Sequence, residues 1–302
     1  MKKPSLIKQV QEKFTAILCI GEKRHEAKSR GIASQGIYSW GTFKTYMSQA
    51  CAFVKWAKTS FGCKTLAEAR QYVDDYIKHL IDNGYAAPSQ KAIACALAKL
   101  YNCSSKDFIP TQVRRRADIS KSRQKKAVFS ESRNQDFVDT CRATGLRRHE
   151  IAKLRPENLV YDEATGKPML INIKGKGGKI RNVPVLCDKV AERISNTPAG
   201  QKVFPKIPSR ADIHSYRADY CKAIYNLHAR PLNGLPDSNT FYLDGEMQNE
   251  RYYCRKDMDG VILDRRAMLI ASQALGHNRI SIIAAHYLYD INHLATFKLT
   301  SF

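Results

Sequence analysis

Five polar residues spread over the C-terminal half of the chain are of the types that handle a phosphodiester. Arg147 stands in Ala-Thr-Gly-Leu-Arg-Arg-His-Glu, Lys176 in Gly-Lys-Gly-Gly-Lys-Ile-Arg-Asn-Val-Pro, Arg255 in Tyr-Tyr-Cys-Arg, His277 in Leu-Gly-His and Tyr287 in Ala-His-Tyr-Leu. A guanidinium offers a planar fork that grips two non-bridging phosphate oxygens, which a lysine cannot do in the same way. A phenol is mostly protonated at neutral pH, but neighbouring cations favour phenolate and screen its attack on a charged diester. Two arginines, a lysine and a histidine around such a phenol suit one task, which is to neutralise the charge gained in a five-coordinate transition state.

Each residue also has a plainer reading. Thr144-Gly145 reads as a turn that starts a short helix carrying Glu150, Ile151 and Leu154, and Arg147 alone is a surface arginine paired with Glu150 one turn on. Arg148 reads as a surface or DNA-backbone residue. Lys176 sits where Gly175, Gly177 and Gly178 let a turn come close to a ligand, and Lys174 and Lys179 are its rivals. Arg251 competes with Arg255, and Tyr289 with Tyr287. A lone histidine such as His277 is usually structural.

Taken together, in order and spacing, these motifs resemble the tyrosine recombinase (phage integrase) family, from about Val128 to about Tyr289. The resemblance implies a catalytic set of Arg147, Lys176, Tyr252, Arg255, His277 and Tyr287. Lys176 would protonate the leaving 5′ oxygen, His277 would bond a non-bridging oxygen, and Tyr287 would form a 3′-phosphotyrosine. The family has His-x-x-Arg where this chain has Tyr252-Tyr253-Cys254-Arg255, so Tyr252 takes the histidine position. A phenol, with a pKa near 10, is a poorer proton shuttle than imidazole at neutral pH. The alternative for Tyr252 is a packed core tyrosine. The interval from Arg255 to His277 is about that of the family, and Tyr287 falls one residue beyond the usual tyrosine position.

The resemblance further implies no metal and no cofactor, double-stranded DNA as partner, and a homo-tetramer assembled on DNA through exchange of the C-terminal tail. Accessory DNA-bending proteins are further possible partners, and the gene would be bacterial or phage-borne, on a mobile element. The rival readings are a type IB topoisomerase-like relaxing enzyme and a catalytically degenerate, integrase-derived DNA-binding protein. The absence of a long insertion and the Leu-Gly-His form favour the recombinase over the first. Tyr252 in the histidine position is the feature that points to the second.

Composition agrees with a polyanionic partner. The chain of 302 residues carries a net charge of +22, a field that favours nucleic acid. About +15 of this lies up to Lys126, which makes the N-terminal part the stronger electrostatic clamp. Nine scattered cysteines form no close metal-type pair, which argues for free thiols in a reducing cytoplasm. No apolar run is long enough to span a membrane, and Met-Lys-Lys-Pro is not followed by an apolar signal core.

The elements that must position the five residues are mainly α with a small antiparallel β-sheet. A helical domain over 1–113 resembles the family's core-binding domain. Residues 5–30 read as a helix or an arm. Thr42 can cap a helix that runs to about Thr59 with Gly62 as its stop, Thr65 a helix to Asn83-Gly84, and Pro88-Ser89 opens a third. The stretch 114–127 reads as a basic linker along DNA, with Arg114, Arg115, Arg116, Lys121, Arg123, Lys125 and Lys126 as backbone contacts or as a solvated connector. The catalytic domain spans 128–302. Ser130 caps its first helix, and Met169, Ile171 and Ile173 alternate before the glycine turn and Val183 and Val185, which reads as a hairpin. The tail presents Ile291, Leu294, Phe297 and Leu299 at helical spacing.

Overall fold

Capping chemistry and apolar periodicity set the elements of the computed structural model, which describes residues 4–32, 35–115, 129–175, 178–235, 250–277, 279–289 and 291. The chain divides into two compact units, Met1–Lys121 and Ser122–Phe302. Both are dominated by helices, and two small antiparallel sheets complete the second. No described helix is long and apolar enough to cross a membrane.

The first unit is helical throughout: α1 (Leu6–Thr15), α2 (Arg24–Ser29), α3 (Trp40–Phe61), α4 (Leu66–Arg70), α5 (Val73–Asp82) and α6 (Ala87–Tyr101). Ser39, not Thr42, caps α3, since the Ser39 hydroxyl accepts the Thr42 N–H. Gly62 ends that helix in the left-handed region, as the sequence suggests. Thr65 caps α4 as expected. The helix expected to run on to Asn83 is instead broken at Gln71-Tyr72 into α4 and α5. Phe14, Phe53, Val54, Ile77, Leu80 and Leu97 fill the core that these helices share.

The second unit carries the candidate residues. After a 3-10 turn at Ser132–Asn134 come α7 (Gln135–Thr144) and α8 (Arg148–Ile151). Ser130 caps the turn rather than the helix, its hydroxyl accepting the Arg133 N–H. A three-stranded sheet follows, β1 (Leu159–Tyr161), β2 (Pro168–Lys174) and β3 (Ile180–Pro184), in the order β1-β2-β3. The β2–β3 hairpin is the expected one, with a difference in facing. Asn172 has φ 58°, the register shifts between Leu170 and Ile173, and those two residues point to the core in place of strict alternation. Then come α9 (Asp188–Ser195), α10 (Ile213–His228), β4 (Arg251–Tyr253), β5 (Ile262–Asp264), α11 (Arg265–Leu275) and α12 (Ile280–His286). Helix α10 lies against both α7 and α11, with Tyr220, Cys221 and Ile224 buried along its inner side.

Candidate active site

Arg147 is the residue just before α8, and its placement depends on the turn behind it. Gly145 ends α7 with φ 57°, and a Cβ there would lie 2.3 Å from Tyr220 Cδ1. Only glycine lets the chain reverse this closely against α10. The Arg147 N–H then donates to Glu150 Oε2 at 2.7 Å, and its Nη1 donates to Glu150 Oε1 at 3.0 Å. The pairing with Glu150 suggested by the sequence is therefore present. The Arg147 side chain remains about one-fifth exposed, so its fork is still accessible.

Arg148 is exposed, as its surface reading has it, and it also braces the fold. Its guanidinium donates to the carbonyls of Pro208, Ser209 and Ala211. These lie in the loop that leads into α10, where Asp212 caps the helix by accepting the Ser215 N–H. Arg148 thus ties the base of Arg147 to the first turn of α10.

Helix α10 holds a residue that the sequence reading missed. Arg217 is 1% exposed, and its guanidinium donates to the carbonyls of Gly145 and Leu275. Its Nε is buried and has no partner among the described residues. Burial lowers the Arg217 pKa, the Tyr287 phenol opposes this, and Arg147 adds to it. Arg147, Arg148, His149, Asp212, His214 and Arg217 line a cleft of about 370 Å³. A cleft with this excess of basic side chains fits an anionic oxygen.

His277 and Tyr287 complete the cluster. Gly276 ends α11 with φ 70°, and the chain turns so that the His277 N–H donates to the Ser272 carbonyl. Tyr287 follows α12 and is buried. Its hydroxyl lies 3.1 Å from His277 Nε2. Burial, then Arg217, Arg147 and Arg181, press the His277 pKa down to about 4, so the imidazole is neutral at pH 7. Tyr289 lies elsewhere, against the core and under Lys222 Nζ at 5.8 Å from its ring centroid.

Arg147, Arg217, His277 and Tyr287 are thus brought together, whereas Tyr252 and Arg255 are not part of the cluster. Tyr252 pairs with Leu263 across the β4–β5 ribbon and rests against the core, the packing alternative. Arg255 is exposed just past β4, with no partner among the described residues. The overlooked signal was in plain view: His214-Ser215-Tyr216-Arg217 reads His-x-x-Arg. Its arginine stands sixty positions before His277, far beyond the expected interval. Most of the stretch between the two residues is the segment Ala229–Asp264, which joins α10 to α11. Arg230 pinches it at its base, bonding Asp264 through Nε and Nη2 and Glu250 through Nη1. Helices α10 and α11 remain neighbours across it.

Other expectations fall partly or wholly outside the described residues. Lys176 is one, although the hairpin turn is closed around it by the Gly175 N–H donating to the Lys179 carbonyl at 2.7 Å. Arg114 and Arg115 are exposed, and Arg116, Lys121, Arg123, Lys125 and Lys126 lie outside. Ile291 rests against the core of its own unit, and the rest of the tail lies outside.

No protein-family profile matches the sequence, and no curated protein matches it. Solved structures do. The chain is similar to the XerH site-specific recombinase bound to palindromic difH substrate in a post-cleavage complex, with a TM-score of 0.54 at 13% identity, over 96% of this chain and 92% of that one. It is also similar to the Tn1549 transposon integrase in complex with circular intermediate DNA, with a TM-score of 0.42 at 11% identity, over 88% of this chain and 95% of that one. The XerH likeness establishes the fold, which is that of a site-specific recombinase, mainly helical with small antiparallel sheets.

Proposed function

We propose that this chain is a site-specific DNA recombinase that cuts and rejoins duplex DNA through a 3′-phosphotyrosine. One observation carries the reading: the Tyr287 hydroxyl lies 3.1 Å from a neutral imidazole and beside the buried Arg217, which with Arg147 lines a basic cleft. In this reading Arg147 and Arg217 hold the scissile phosphate and neutralise its transition-state charge. The Tyr287 oxygen attacks phosphorus and the bond to the 5′ oxygen breaks. Lys176, from the hairpin turn, gives that oxygen its proton. The released 5′ hydroxyl, or one from a partner duplex, later displaces the tyrosine. One phosphodiester is exchanged for another, so no ATP is consumed.

His277 orients the phenol in the free protein. A bound phosphate would offset the charge of Arg147 and Arg217 and so raise the His277 pKa, favouring proton uptake from the phenol as it attacks. His214 stands at the opening of α10 in the same cleft, in the position the family fills with histidine. Recombination requires two strand exchanges on two duplexes. We therefore assign the active form as a tetramer on DNA, with the segment after Ile291 docking on a neighbouring protomer.

The test is a suicide duplex nicked so that the cut strand diffuses away. Wild type should accumulate a covalent protein–DNA adduct. Tyr287→Phe should form none while binding DNA normally, and Tyr289→Phe should resemble wild type. Adduct from Tyr287→Phe but not from Tyr289→Phe would move the nucleophile, and no adduct from wild type would leave a DNA-binding protein. Relaxation of supercoiled DNA without two-site recombination would instead identify a topoisomerase.

A further inference from the structure

Arg181 has no role in the chemistry above, yet three of its motifs converge on it. It lies on β3, just past the glycine turn, and is 8% exposed. Its Nη1 and Nη2 donate to Glu150 Oε1 and Oε2 at 2.9 and 2.8 Å. Its Nε donates to the Ala274 carbonyl at 2.9 Å, in the last turn of α11 before Leu-Gly-His. Two glycines make room for it. A Cβ on Gly276 would lie 3.0 Å from Arg181 Cδ, and a Cβ on Gly175 would lie 3.2 Å from its Nη1.

The consequence is electrostatic. The Glu150 side chain is fully buried, and its two oxygens accept four hydrogen bonds, two from Arg147 and two from Arg181. Burial alone would raise the Glu150 pKa, but the two arginines hold it at about 2, so it is a carboxylate at neutral pH. Two cations therefore share one anion. Without Arg181, Glu150 and Arg147 would make a neutral pair in a weakly screened site, and the attraction of Arg147 for a phosphate would be largely cancelled.

We propose that Arg181 is a positioning residue for the phosphate site. It neutralises Glu150 so that the charge of Arg147 stays available to the scissile phosphate, and it fixes the turn that presents His277. This inference rests on the reading of Arg147 as a phosphate clamp.

The experiment compares single-turnover cleavage by the full chain on two suicide duplexes. One has the natural scissile diester. The other has a methylphosphonate there, in which a methyl group replaces a charged oxygen. Arg181→Gln removes the charge that neutralises Glu150 and keeps a polar side chain. It should slow diester cleavage by about 10- to 100-fold, the range typical of residues that orient a charged ligand from behind. DNA affinity should change little, and the loss should shrink to a few-fold on the uncharged substrate. A double variant with Arg147→Ala should be no slower than Arg147→Ala alone.

Equal losses on both substrates, or losses that multiply, would overturn the proposal and leave Arg181 as a brace of the fold. If Arg181→Gln is too unstable to purify, Glu150→Gln/Arg181→Met removes the buried charges as a pair. That variant should keep the wild-type preference between the two substrates, and a changed preference would overturn the proposal. Wild-type diester cleavage by Arg147→Ala would sink the phosphate-clamp reading itself. A slow Arg147→Ala beside a fast Arg181→Gln would sink only the role of Arg181.

Discussion

Tyr287 meets His277 within one chain, hydroxyl to Nε2 at 3.1 Å, with ring centroids 5.4 Å apart. The two residues are ten positions apart, and α12 spans the interval. The Gly276 turn aims the imidazole, and the end of α12 delivers the phenol. The phenol is therefore seated beside Arg217, and one protomer holds Arg147, Arg217, His277 and Tyr287 together.

The sharpest consequence separates Arg217 from Arg255. Arg217→Lys keeps the charge on α10 but loses the fork that bonds Gly145 and Leu275, and it should cut adduct formation by about 10²–10³, the loss typical of one preorganised donor to a transition state. Arg255→Ala should stay within a few-fold of wild type, and Tyr252→Phe should be harmless because only a packed ring is altered. A large loss on Arg255→Ala with a mild one on Arg217→Lys would restore the arginine of the Tyr-Tyr-Cys-Arg motif.

How far the sequence could be read depends on whether a signal is local. The Gly62 stop, the Thr65 cap, the β2–β3 hairpin and the Leu-Gly-His turn rest on short-range rules, and each is present. The reading of Arg255 as the second arginine rests on an interval, and an interval does not say which side chains meet in space. Nothing in the residues near Arg217 says that Arg230 binds Glu250 and Asp264, because those ion pairs are tertiary. The tasks of Arg148 and Arg181 were hidden for the same reason, since their partners lie about sixty and thirty positions away in sequence.

The glycine at the base of Arg147 offers a structural check. Gly145→Ala must place a methyl group where Tyr220 stands, at a backbone angle that L-residues rarely adopt. The variant should lose thermal stability and cleavage together. Gly145→Ala/Tyr220→Leu should recover part of both, by making room while leaving the backbone strain. An alanine variant as stable as wild type would mean that the turn differs from the one described.

Stability should rise with pH across the acid range, for two separable reasons. His277 has a folded pKa of about 4, below that of an unfolded histidine near 6.5. The unfolded chain therefore takes up the proton first, and stability falls as pH drops from about 6.5 to about 4. Glu150 has a folded pKa of about 2 against an ordinary 4.5, so its contribution is full above about 4.5 and is lost as pH falls toward 2. Thermal unfolding across this range should lose the upper slope in His277→Gln and the lower slope in Glu150→Gln. If His277→Gln tracks wild type from pH 4 to 6.5, the imidazole is not held neutral by the cluster.

The basic stretch between the units should dominate salt dependence. Each phosphate contact on duplex DNA contributes about 0.9 to the slope of log K against log salt. Arg114 and Arg115 are exposed at the start of that stretch, and Arg116, Lys125 and Lys126 continue its run of charge. Neutralising these five with glutamine should lower the slope by as many contacts as they make, with binding weakened alike on all sequences. Cleavage of DNA that is already bound should be nearly unaffected, since Arg147 and Arg217 are untouched. An unchanged slope would mean that this stretch is a solvated connector, and the charge that holds the duplex would then have to be sought on the helical unit, where most of the remaining N-terminal excess lies.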